Sequence, residues 1–540
     1  MNGPNTFDYV IAGGGSAGCV LANRLSASGK HQVCLIEAGP PDTSFLIKLP
    51  LGVIGLMRGA SHNWQFWTAP QKHLANRSMY LPRGKTLGGS SAINAMVNIR
   101  GNAWDYDHWA SLGNPGWSYK DVLPYFRRLE NYEPGNDAEY HGRGGPLNVS
   151  DCRHTNPLSL AFIEAAQQAG YPTTPDFNGA RQEGVGRYKV YQKDGERHSN
   201  AAAYLRPAEG RPNLKIITGA HVSRVLFEGK RAVGLRYLAG GKFHDVTATR
   251  EVILAAGSIG SPHLLLLSGV GPKTEIQKHG IALVHELPGV GENLQDHLDI
   301  VVSTKARNRL PASLHPMSLL RGLVALFKYL FGKTGEYTSN GAESGGFLKS
   351  SPSEPIPDLQ WHFVPFANAY HGLDLSNFIK TYAYTVMVCD LRPLSRGRVT
   401  LESADPLKPP RIDPNWGGHE RDIDKLVTGI KKTREVLGQK AFDPHRLEEV
   451  EPGAANQTDE QLRDWVRRKS EAIYHPVGTC KMGPDTDAMA VVDAQLRVRG
   501  LSSLRVVDAS IMPTLVGGNT NQPTTMIGEK AADLILQSAA

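Results

Sequence analysis

Three glycines near the N-terminus and a later glutamate have the types and spacing needed to bind a dinucleotide. Gly13, Gly15 and Gly18 form the pattern Gly-x-Gly-x-x-Gly. In such a pattern the first glycine makes a tight turn, the second lets the backbone approach a pyrophosphate, and the third allows close helix–strand packing. A carboxylate at the position of Glu37 accepts hydrogen bonds from both ribose hydroxyls. These residues predict a bound dinucleotide.

A βαβ unit must position these residues, and the surrounding sequence predicts one. An apolar strand at 9–12 leads into the first glycine, a helix-like stretch follows at 19–25, and a second apolar strand at 33–36 ends at Glu37. The N-terminus of the helix supplies free N–H groups and partial positive charge for the phosphates. Only one such unit is visible in the sequence, so we expect one bound nucleotide.

The overall composition excludes several classes of protein. The 540 residues carry a net charge of +7 without a dense block of Lys and Arg, so nucleic-acid binding is not expected, while a basic face near an anionic membrane stays open. The five cysteines are scattered, with no close pair and no Cys/His cluster, which argues against a disulfide framework and a metal site and favours a reducing compartment. We find no signal peptide and no membrane-spanning run, so we expect a cytoplasmic protein.

The order of predicted elements indicates a discontinuous α/β nucleotide domain, α+β overall, with a second domain inserted into it. We assign 1–155, 196–299 and 456–540 to the nucleotide domain, and 156–195 and 300–455 to a substrate-binding domain built on an antiparallel sheet with helices. Helices are predicted at 117–129 and 158–169. Strands are predicted at 214–218, 222–227, 232–237, 252–256, 359–365 and 382–388.

Two further glycine clusters follow the first one. Residues 84–94 surround two glycines with small and hydroxyl side chains, which lets backbone N–H groups approach a flat polar ligand. Residues 257–271 follow a predicted strand, so they form another strand–loop–helix turn. Pro262 is typical of a first helical turn, and Gly269 and Gly271 are typical of a helix exit.

Together these motifs resemble the glucose–methanol–choline (GMC) oxidoreductases, a family of FAD flavoproteins, over residues 8–536. Residues 257–271 match the family's second signature at every constrained position. Residues 84–107 match the first signature except at Asn98, where an aromatic residue or alanine is usual. Residues 289–297 and 507–510 resemble the family as well.

The resemblance implies FAD and a set of residues that hold it. Some relatives attach the flavin covalently through a histidine at one position of the first signature. Residue 93, at that position, is isoleucine here, so we expect noncovalent FAD. We expect no metal, since the sequence has no Cys/His cluster. Besides the N-terminal glycines and Glu37, the cofactor-binding residues implied are Ser16, Ala38, Trp64, Arg83, Gly88, Gly89, Ser91, Asn94, Ala95, Met96, Val97, Val222, Asp508, Ala509, Asn521, Gln522 and Thr524.

Oxidation of an alcohol by hydride transfer also requires a base for the hydroxyl proton, and histidine titrates in the right range. His475 lies in a loop, because Pro476 disfavours a helical conformation at the residue before it. It matches the catalytic histidine of the family. Asn519 matches the partner position, where an uncharged amide can hold the substrate oxygen. Pro523 then begins a helix whose N-terminus is expected to stabilise an anionic reduced flavin.

Two further residues are expected in the substrate pocket, Glu343 and Tyr474. Glu343 occupies a position that faces the substrate in choline-oxidising relatives. The surrounding pattern also resembles relatives that act on uncharged alcohols, so both substrate classes stay open.

Residues 317–331 predict a helix with a wide apolar arc, on which Arg321 and Lys328 share the narrow polar side. Two interpretations stay open. Either the helix is buried in the substrate domain, or it lies on the inner face of a membrane, which would suit transfer of electrons to a quinone.

We therefore expect an FAD-dependent alcohol dehydrogenase that oxidises a primary alcohol, aliphatic and of medium chain length, and passes electrons to a quinone or another acceptor than oxygen. An oxidase that uses oxygen and a choline-type dehydrogenase are the alternatives. The family also contains photodecarboxylases, which carry a cysteine where this chain has Leu391 and which lack the His–Asn pair. A non-catalytic flavin-binding protein is disfavoured by the intact pair.

Overall fold

The computed structural model describes residues 5–135, 137–367 and 379–538. Its first sheet has seven strands and carries the predicted nucleotide unit. Four strands are parallel and adjacent in the order Leu214–Ile217, Val33–Ile36, Thr6–Ala12 and Lys242–Leu254, and Leu504–Val506 pairs in parallel with the end of the last. Arg231–Ala239 and His221–Glu228 extend the sheet as antiparallel strands. All strands predicted in this region are confirmed.

Two helices far apart in sequence pack together, and the first of them lies against this sheet. They are Ser16–Ser26, which follows the glycine turn, and Asn521–Ser538 near the C-terminus. A Cβ added at Gly528 would lie 3.0 Å from Val20, so glycine there lets the helices approach closely. Arg24 donates from Nη2 to Oε1 of the buried Glu529 at 2.7 Å, which joins the two helices by an ion pair.

The second sheet has seven strands and is antiparallel throughout. The order is Arg446–Glu451, Leu298–Ala306, Ala383–Asp390, Leu359–Val364, Ser344–Leu348 and Gly184–Arg187, with Glu471–Ala472 paired to the start of Leu298–Ala306. Helices Pro157–Gln168 and Glu420–Leu437 cover it, burying Phe162, Trp361 and Phe363 in one core. The antiparallel sheet with helices is confirmed, whereas the residue boundaries of the two domains stay a prediction.

Further elements connect the two sheets. The other α-helices that lie wholly within the described residues are Phe45–Lys48, Val53–Leu56, Ala103–Ser111, Tyr119–Leu129, Gly257–Leu267, Lys273–Lys278, Leu319–Gly332 and Asp459–Lys469. Small strands are Phe66–Trp67, Tyr80–Leu81, Glu130–Tyr132, Leu147–Asp151, Lys189–Val190, Gln192–Lys193, Glu196–Arg197, Val270–Gly271, His285–Glu286, Arg398–Thr400 and Arg411–Asp413. Within the described residues, no helix is both long and apolar enough to cross a bilayer.

The position predicted for Pro262 is wrong. It lies inside helix Gly257–Leu267 and not in its first turn. A proline there cannot donate an N–H to the carbonyl of Ser258, four residues before it. The hydroxyl of Thr479 donates to that carbonyl instead, at 2.6 Å, so the helix continues without an unsatisfied acceptor. The helix exit at Gly269, with φ of +79°, is confirmed.

Candidate active site

A cavity of about 610 Å³ lies where the two sheets meet. One end is lined by Gly13, Gly15 and Glu37 at the carboxyl ends of the parallel strands, and the other by His475 and Asn519. Ligands bind at this edge of open α/β sheets. A cavity of this size is within the range of cofactor and substrate sites.

The three glycines of the N-terminal turn have the separate roles that their spacing predicts. Gly13 has φ of +102°, and a Cβ there would meet the carbonyl oxygen of Ala255 at 2.6 Å. A Cβ at Gly18 would lie 1.9 Å from the carbonyl oxygen of Gly13. At Gly15 the nearest atom to an added Cβ is 3.8 Å away, so the space above its backbone is open to a ligand.

Glu37 is buried at the end of strand Val33–Ile36 and lines the cavity. Its Oε2 accepts from the N–H of Gly14 and its Oε1 from the N–H of Gly39, each at 2.8 Å. Burial raises the pKa of this carboxyl to about 7, although the two N–H groups oppose the shift. Each oxygen keeps a lone pair for a ribose hydroxyl.

Most of the residues that the resemblance implied are brought together around this cavity. Those lining it, besides Gly13, Gly15 and Glu37, are Ser16, Ala38, Trp64, Arg83, Gly89, Asn94, Ala95, Met96, Val97, Val222, Asp508, Ala509, Asn521 and Thr524, together with Tyr474, His475 and Asn519.

Four of the expected cofactor residues do not line the cavity. Gly18 packs against Gly13, as described. Gly88 and Ser91 form a turn within the first signature, in which the Ser91 hydroxyl donates to the Gly88 carbonyl at 2.7 Å. Gln522 is buried and donates from Nε2 to Oε2 of Glu130 at 3.1 Å. These residues support the lining from behind.

Polar groups facing this cavity fit a dinucleotide. Helix Ser16–Ser26 begins after Gly15 without a side-chain cap, so N–H groups of its first turn are available to a phosphate. The hydroxyl of Ser16 donates to Oδ1 of Asn521 at 2.8 Å, which leaves the buried Nδ2 of Asn521 with no hydrogen-bond partner among the described residues. The hydroxyl of Ser258, which also lines the cavity, likewise has no hydrogen-bond partner among the described residues.

Arg83 and Asp508 connect the two segments that match the family signatures to the C-terminal part of the chain. Arg83 donates from Nη1 to the carbonyl of Tyr474 at 2.9 Å and from Nη2 to the hydroxyl of Ser90 at 2.7 Å. Oδ2 of Asp508 accepts from the N–H of Gly257 at 2.9 Å, and burial raises the pKa of this carboxyl. Both side chains therefore fix loops as well as line the cavity.

His475 and Asn519 form the polar pair at the far end of the cavity. Nε2 of His475 lies 3.2 Å from Nδ2 of Asn519, and Nδ1 of His475 lies 3.0 Å from Nδ1 of His297. His475 is 9% exposed. Burial, and then the nearby His297, His362 and Arg83, hold the pKa of His475 well below its usual range. The imidazole is therefore neutral near pH 7 and can accept a proton.

Side chains from other parts of the chain hold the loop that carries Asn519 through hydrogen bonds to the backbone of Gly517. Oδ2 of Asp105 accepts from the N–H of Gly517 at 2.7 Å, and Nε2 of Gln182 donates to the Gly517 carbonyl at 2.8 Å. Arg392 pairs with the same carboxylate. Sequence reasoning missed these residues and also His362, which lines the cavity, since no local pattern marks them.

The lining beside His475 is mostly apolar. It includes Val364, Phe366, Met387 and Ile473. The carboxylates lining the cavity, within the described ranges, are Glu37 and Asp508, both at the nucleotide end.

The prediction that Glu343 lies in the substrate pocket is wrong for the structure described. Its carboxylate is 1% exposed and turned away from the cavity. Oε2 accepts from the N–H of Asn156 at 2.6 Å and from the hydroxyl of Ser159 at 2.7 Å, and Oε1 accepts from Ser339 at 2.6 Å. Hydroxyl and N–H donors at the start of helix Pro157–Gln168 hold the charge better than an apolar cavity can.

Of the two interpretations left open for 317–331, the buried helix is wrong. Helix Leu319–Gly332 buries Ala325 and Tyr329 alone among its residues. Its outward residues Leu319, Leu320, Leu323, Val324, Phe327, Leu330 and Phe331 are exposed, with Leu320 at 74% and Phe331 at 77%. We call these seven residues the apolar face. Phe45 and Leu46, also exposed, lie nearby, and Phe45 contacts the Tyr329 ring.

Comparison with known proteins agrees with this geometry. Residues 7–299 match the N-terminal model of the GMC oxidoreductases, and residues 393–528 match the C-terminal model. An alcohol dehydrogenase (acceptor) of Pseudomonas putida is 50% identical over 533 residues, which cover 98% of this chain and 96% of the relative. An oxygen-dependent choline dehydrogenase of Brucella anthropi is 44% identical over 98% of this chain and 95% of its own length.

A solved structure gives the same result for the fold. An FAD-dependent oxidoreductase from Chaetomium thermophilum superposes with a TM-score of 0.90 at 28% identity, covering 99% of both chains. The family models, the relatives and this fold agree with each other. The chain belongs to the GMC oxidoreductase family.

Proposed function

We propose that this protein is an FAD-dependent dehydrogenase that oxidises a primary aliphatic alcohol of medium chain length to the aldehyde. The observation that carries the proposal is the placement of His475 beside Asn519 at one end of a cavity whose other end fits a dinucleotide. The named function of the Pseudomonas putida relative supports it.

FAD is held noncovalently in this proposal. The open backbone of Gly15 and the start of helix Ser16–Ser26 would hold its phosphates, and Glu37 would hold its ribose. Ile93 lines the cavity at the position where some relatives carry the attached histidine, and its side chain has no group that can form a bond to the flavin. Bound FAD supplies the hydride acceptor.

The chain's own residues handle the proton and the substrate oxygen. Nε2 of His475 accepts the hydroxyl proton as the C–H bond of the alcohol is broken. Nδ2 of Asn519 donates to the same oxygen and orients it. Because the pKa of His475 is held low, the base is ready at neutral pH without a preceding deprotonation.

The apolar lining supports an uncharged substrate. Val364, Phe366, Met387 and Ile473 suit an alkyl chain, and Glu343, which could have faced a cation, is occupied by three donors outside the cavity. These observations favour an aliphatic alcohol over choline.

In this proposal the electron acceptor is a membrane quinone or another acceptor that is not oxygen. The protein reaches it through peripheral contact of the apolar face with the inner surface of the cell membrane. The helix is flanked by parts of the cavity wall. Tyr329 reaches the carbonyl of Lys48 at 3.5 Å, shortly before the lining residue Val53, and Ala312 bridges to the lining residue Phe366. An apolar arc with Lys328 beside it suits an anionic lipid surface.

The experiment that tests the function is anaerobic reduction of the purified flavoprotein by 1-octanol, followed by the visible flavin band. Bleaching that His475→Ala abolishes supports alcohol oxidation. Recovery with a soluble quinone that is much faster than recovery in air supports a dehydrogenase over an oxidase. A flavin band that neither 1-octanol nor choline bleaches would overturn the proposal.

A further inference from the structure

A chain of hydrogen bonds runs from a backbone carbonyl in the antiparallel sheet to the catalytic pair. It begins at Trp361, whose carbonyl accepts from the hydroxyl of Tyr188 at 2.5 Å. A carbonyl can only accept, so the single hydroxyl hydrogen of Tyr188 is committed to it. The Tyr188 oxygen must therefore act as an acceptor towards its other neighbour.

That neighbour is Gln360, on strand Leu359–Val364. Its side-chain nitrogen lies 3.1 Å from the Tyr188 oxygen and 3.2 Å from Oδ1 of Asn519. Since the Tyr188 oxygen needs a donor, the NH₂ group of Gln360 must face it. The second hydrogen of the same NH₂ group then points to Asn519, and only an oxygen can accept it.

The opposite side of the Gln360 amide agrees with this orientation. The thiol of Cys389 lies 4.0 Å from Oε1 of Gln360. Burial raises the pKa of this thiol well above its usual range, so it keeps its hydrogen and acts as a weak donor. A donor on one side and an acceptor on the other hold the amide in one orientation.

With its oxygen turned to Gln360, Asn519 presents its NH₂ group to His475. Nε2 of His475 must then carry a lone pair, and its proton must be on Nδ1, which faces the Nδ1 of His297 at 3.0 Å. We infer that Gln360 is a positioning residue, which fixes the amide of Asn519 and thereby keeps the nitrogen of His475 that faces the substrate unprotonated.

Space for this arrangement depends on Gly345, on the neighbouring strand Ser344–Leu348. A Cβ at this position would lie 2.0 Å from the Trp361 carbonyl oxygen and 2.6 Å from the Tyr188 hydroxyl. The sequence thus leaves room at the one place where the hydroxyl must reach the carbonyl. The anchor of the chain is backbone, which cannot titrate or rotate away.

Two substitutions of Gln360 test the inference, which rests on the proposed function for its kinetic readout. Gln360→Met keeps the size and removes the donor, so Asn519 can turn over, and we expect the rate of flavin reduction to fall about 10- to 100-fold with little change in KM. In an Asn519→Ala background the same change should cost less than about twofold, because the partner is already absent.

Gln360→Glu gives a signature in pH that a structural defect does not give. A protonated carboxyl can donate to Asn519 as the amide does, whereas a carboxylate cannot. We therefore expect the rate of this variant to fall as pH rises through the pKa of the new carboxyl, while the rate of the wild type does not.

A readout without turnover separates this inference from the proposed function. In protein with ¹⁵N-labelled histidine, the His475 signals are identified by their loss in His475→Gln. We expect an unprotonated Nε2 in the wild-type holoenzyme and a protonated Nε2 in Gln360→Glu at high pH. If no alcohol reduces the flavin, the function fails and this spectrum still decides the role of Gln360.

Thr433→Val is the matched control. Its hydroxyl accepts from Nε1 of Trp361 at 2.8 Å, on the opposite face of the same strand. It should lower the unfolding temperature and leave the rate within about twofold. The inference is overturned if Gln360→Met keeps the wild-type rate, if its loss persists in the Asn519→Ala background, or if the His475 tautomer is the same in Gln360→Glu.

Discussion

The N–H of His475 donates to Oδ1 of Asp296 at 2.6 Å, so the catalytic candidate is held by its backbone as well as by its ring. The residue before it, Tyr474, has φ of +69°, a left-handed conformation that a tyrosine rarely adopts. Arg83 holds the carbonyl of that residue from the other side. The direction of the imidazole therefore depends on the hydrogen bonds that Asp296 and Arg83 make with the backbone of His475 and Tyr474.

Removal of the Asp296 carboxylate should affect the rate more than the binding of alcohol. We expect Asp296→Ala to lower kcat about 10- to 100-fold, because misorientation weakens general-base catalysis. Asp296→Asn keeps an oxygen for the N–H of His475 and should retain most of the rate. Steady-state kinetics with 1-octanol measure both, and equal losses in the two variants would contradict a positioning role.

The pH profile of the wild type should lack the usual histidine limb. For an imidazole with a pKa of 6.5, the neutral fraction falls about tenfold between pH 7.5 and pH 5.5. Because the pKa of His475 is lowered, its neutral form persists further into acid, and we expect kcat/KM to fall much less than tenfold between pH 7.5 and 5.5. A half-point near pH 6.5 in the kcat/KM profile would show that burial does not control this group.

Two glycines of the same turn should fail in different ways when replaced by alanine. Gly15→Ala has room in the protein, so its apoprotein should keep the unfolding temperature of the wild type, while a methyl group in the ligand space weakens FAD binding at least about tenfold. Gly18→Ala places a methyl 1.9 Å from the Gly13 carbonyl oxygen and should lower stability itself. Thermal unfolding of apoprotein with FAD titration compares them.

Glu343→Gln should cost stability and leave substrate choice unchanged. The buried carboxylate accepts three hydrogen bonds. Its neutral amide can turn its NH₂ group to the Ser339 hydroxyl, which then accepts and loses the bond that it donated, so we expect a cost of about 1–3 kcal/mol. Urea unfolding measures this loss. The ratio of kcat/KM for choline to that for 1-octanol should stay constant, and a specific loss of choline activity would restore Glu343 to the pocket.

Charge on the apolar face should abolish binding to lipid without affecting catalysis. We expect Leu323→Glu with Phe327→Glu to reduce sedimentation with anionic phospholipid vesicles at least about tenfold, since each buried apolar side chain contributes about 1.5–3 kcal/mol. Leu160→Glu, at an exposed position on helix Pro157–Gln168, is the control. Reduction of the flavin by a soluble alcohol should be the same in all three proteins.

The parts of the molecule that the sequence predicts well are those with a local signal. The strand before Gly13 and the strand before Glu37 each end in four consecutive apolar residues, so their type and carboxyl ends follow from the local sequence, although the first strand begins at Thr6, before the predicted start. The sequence pattern of 317–331 predicts a helix with a wide apolar arc equally well. Such a pattern indicates which residues share a face of the helix, but not whether other parts of the protein bury that face.

The end of the cavity at His475 and Asn519 could not be predicted in this way, because its geometry depends on contacts between distant residues. Gln360 meets Asn519 across 159 positions of sequence, and Asp105 meets Gly517 across 412. Taken by itself, the sequence around His475 indicates an ordinary loop histidine. The role proposed for it came from resemblance to a family. Glu343 shows the limit of that resemblance, since hydroxyls at Ser159 and Ser339 turn its carboxylate elsewhere.

The ion pair between Arg24 and Glu529 joins residues 505 positions apart. During synthesis the glycine turn and its helix are therefore made long before the helix Asn521–Ser538 that packs against them. At the usual rate of translation the N-terminal unit waits about 25–100 s for its partner. For that whole interval the nascent chain exposes the buried face of helix Ser16–Ser26 that the later helix covers, so this face has to be kept from aggregation until its partner is made.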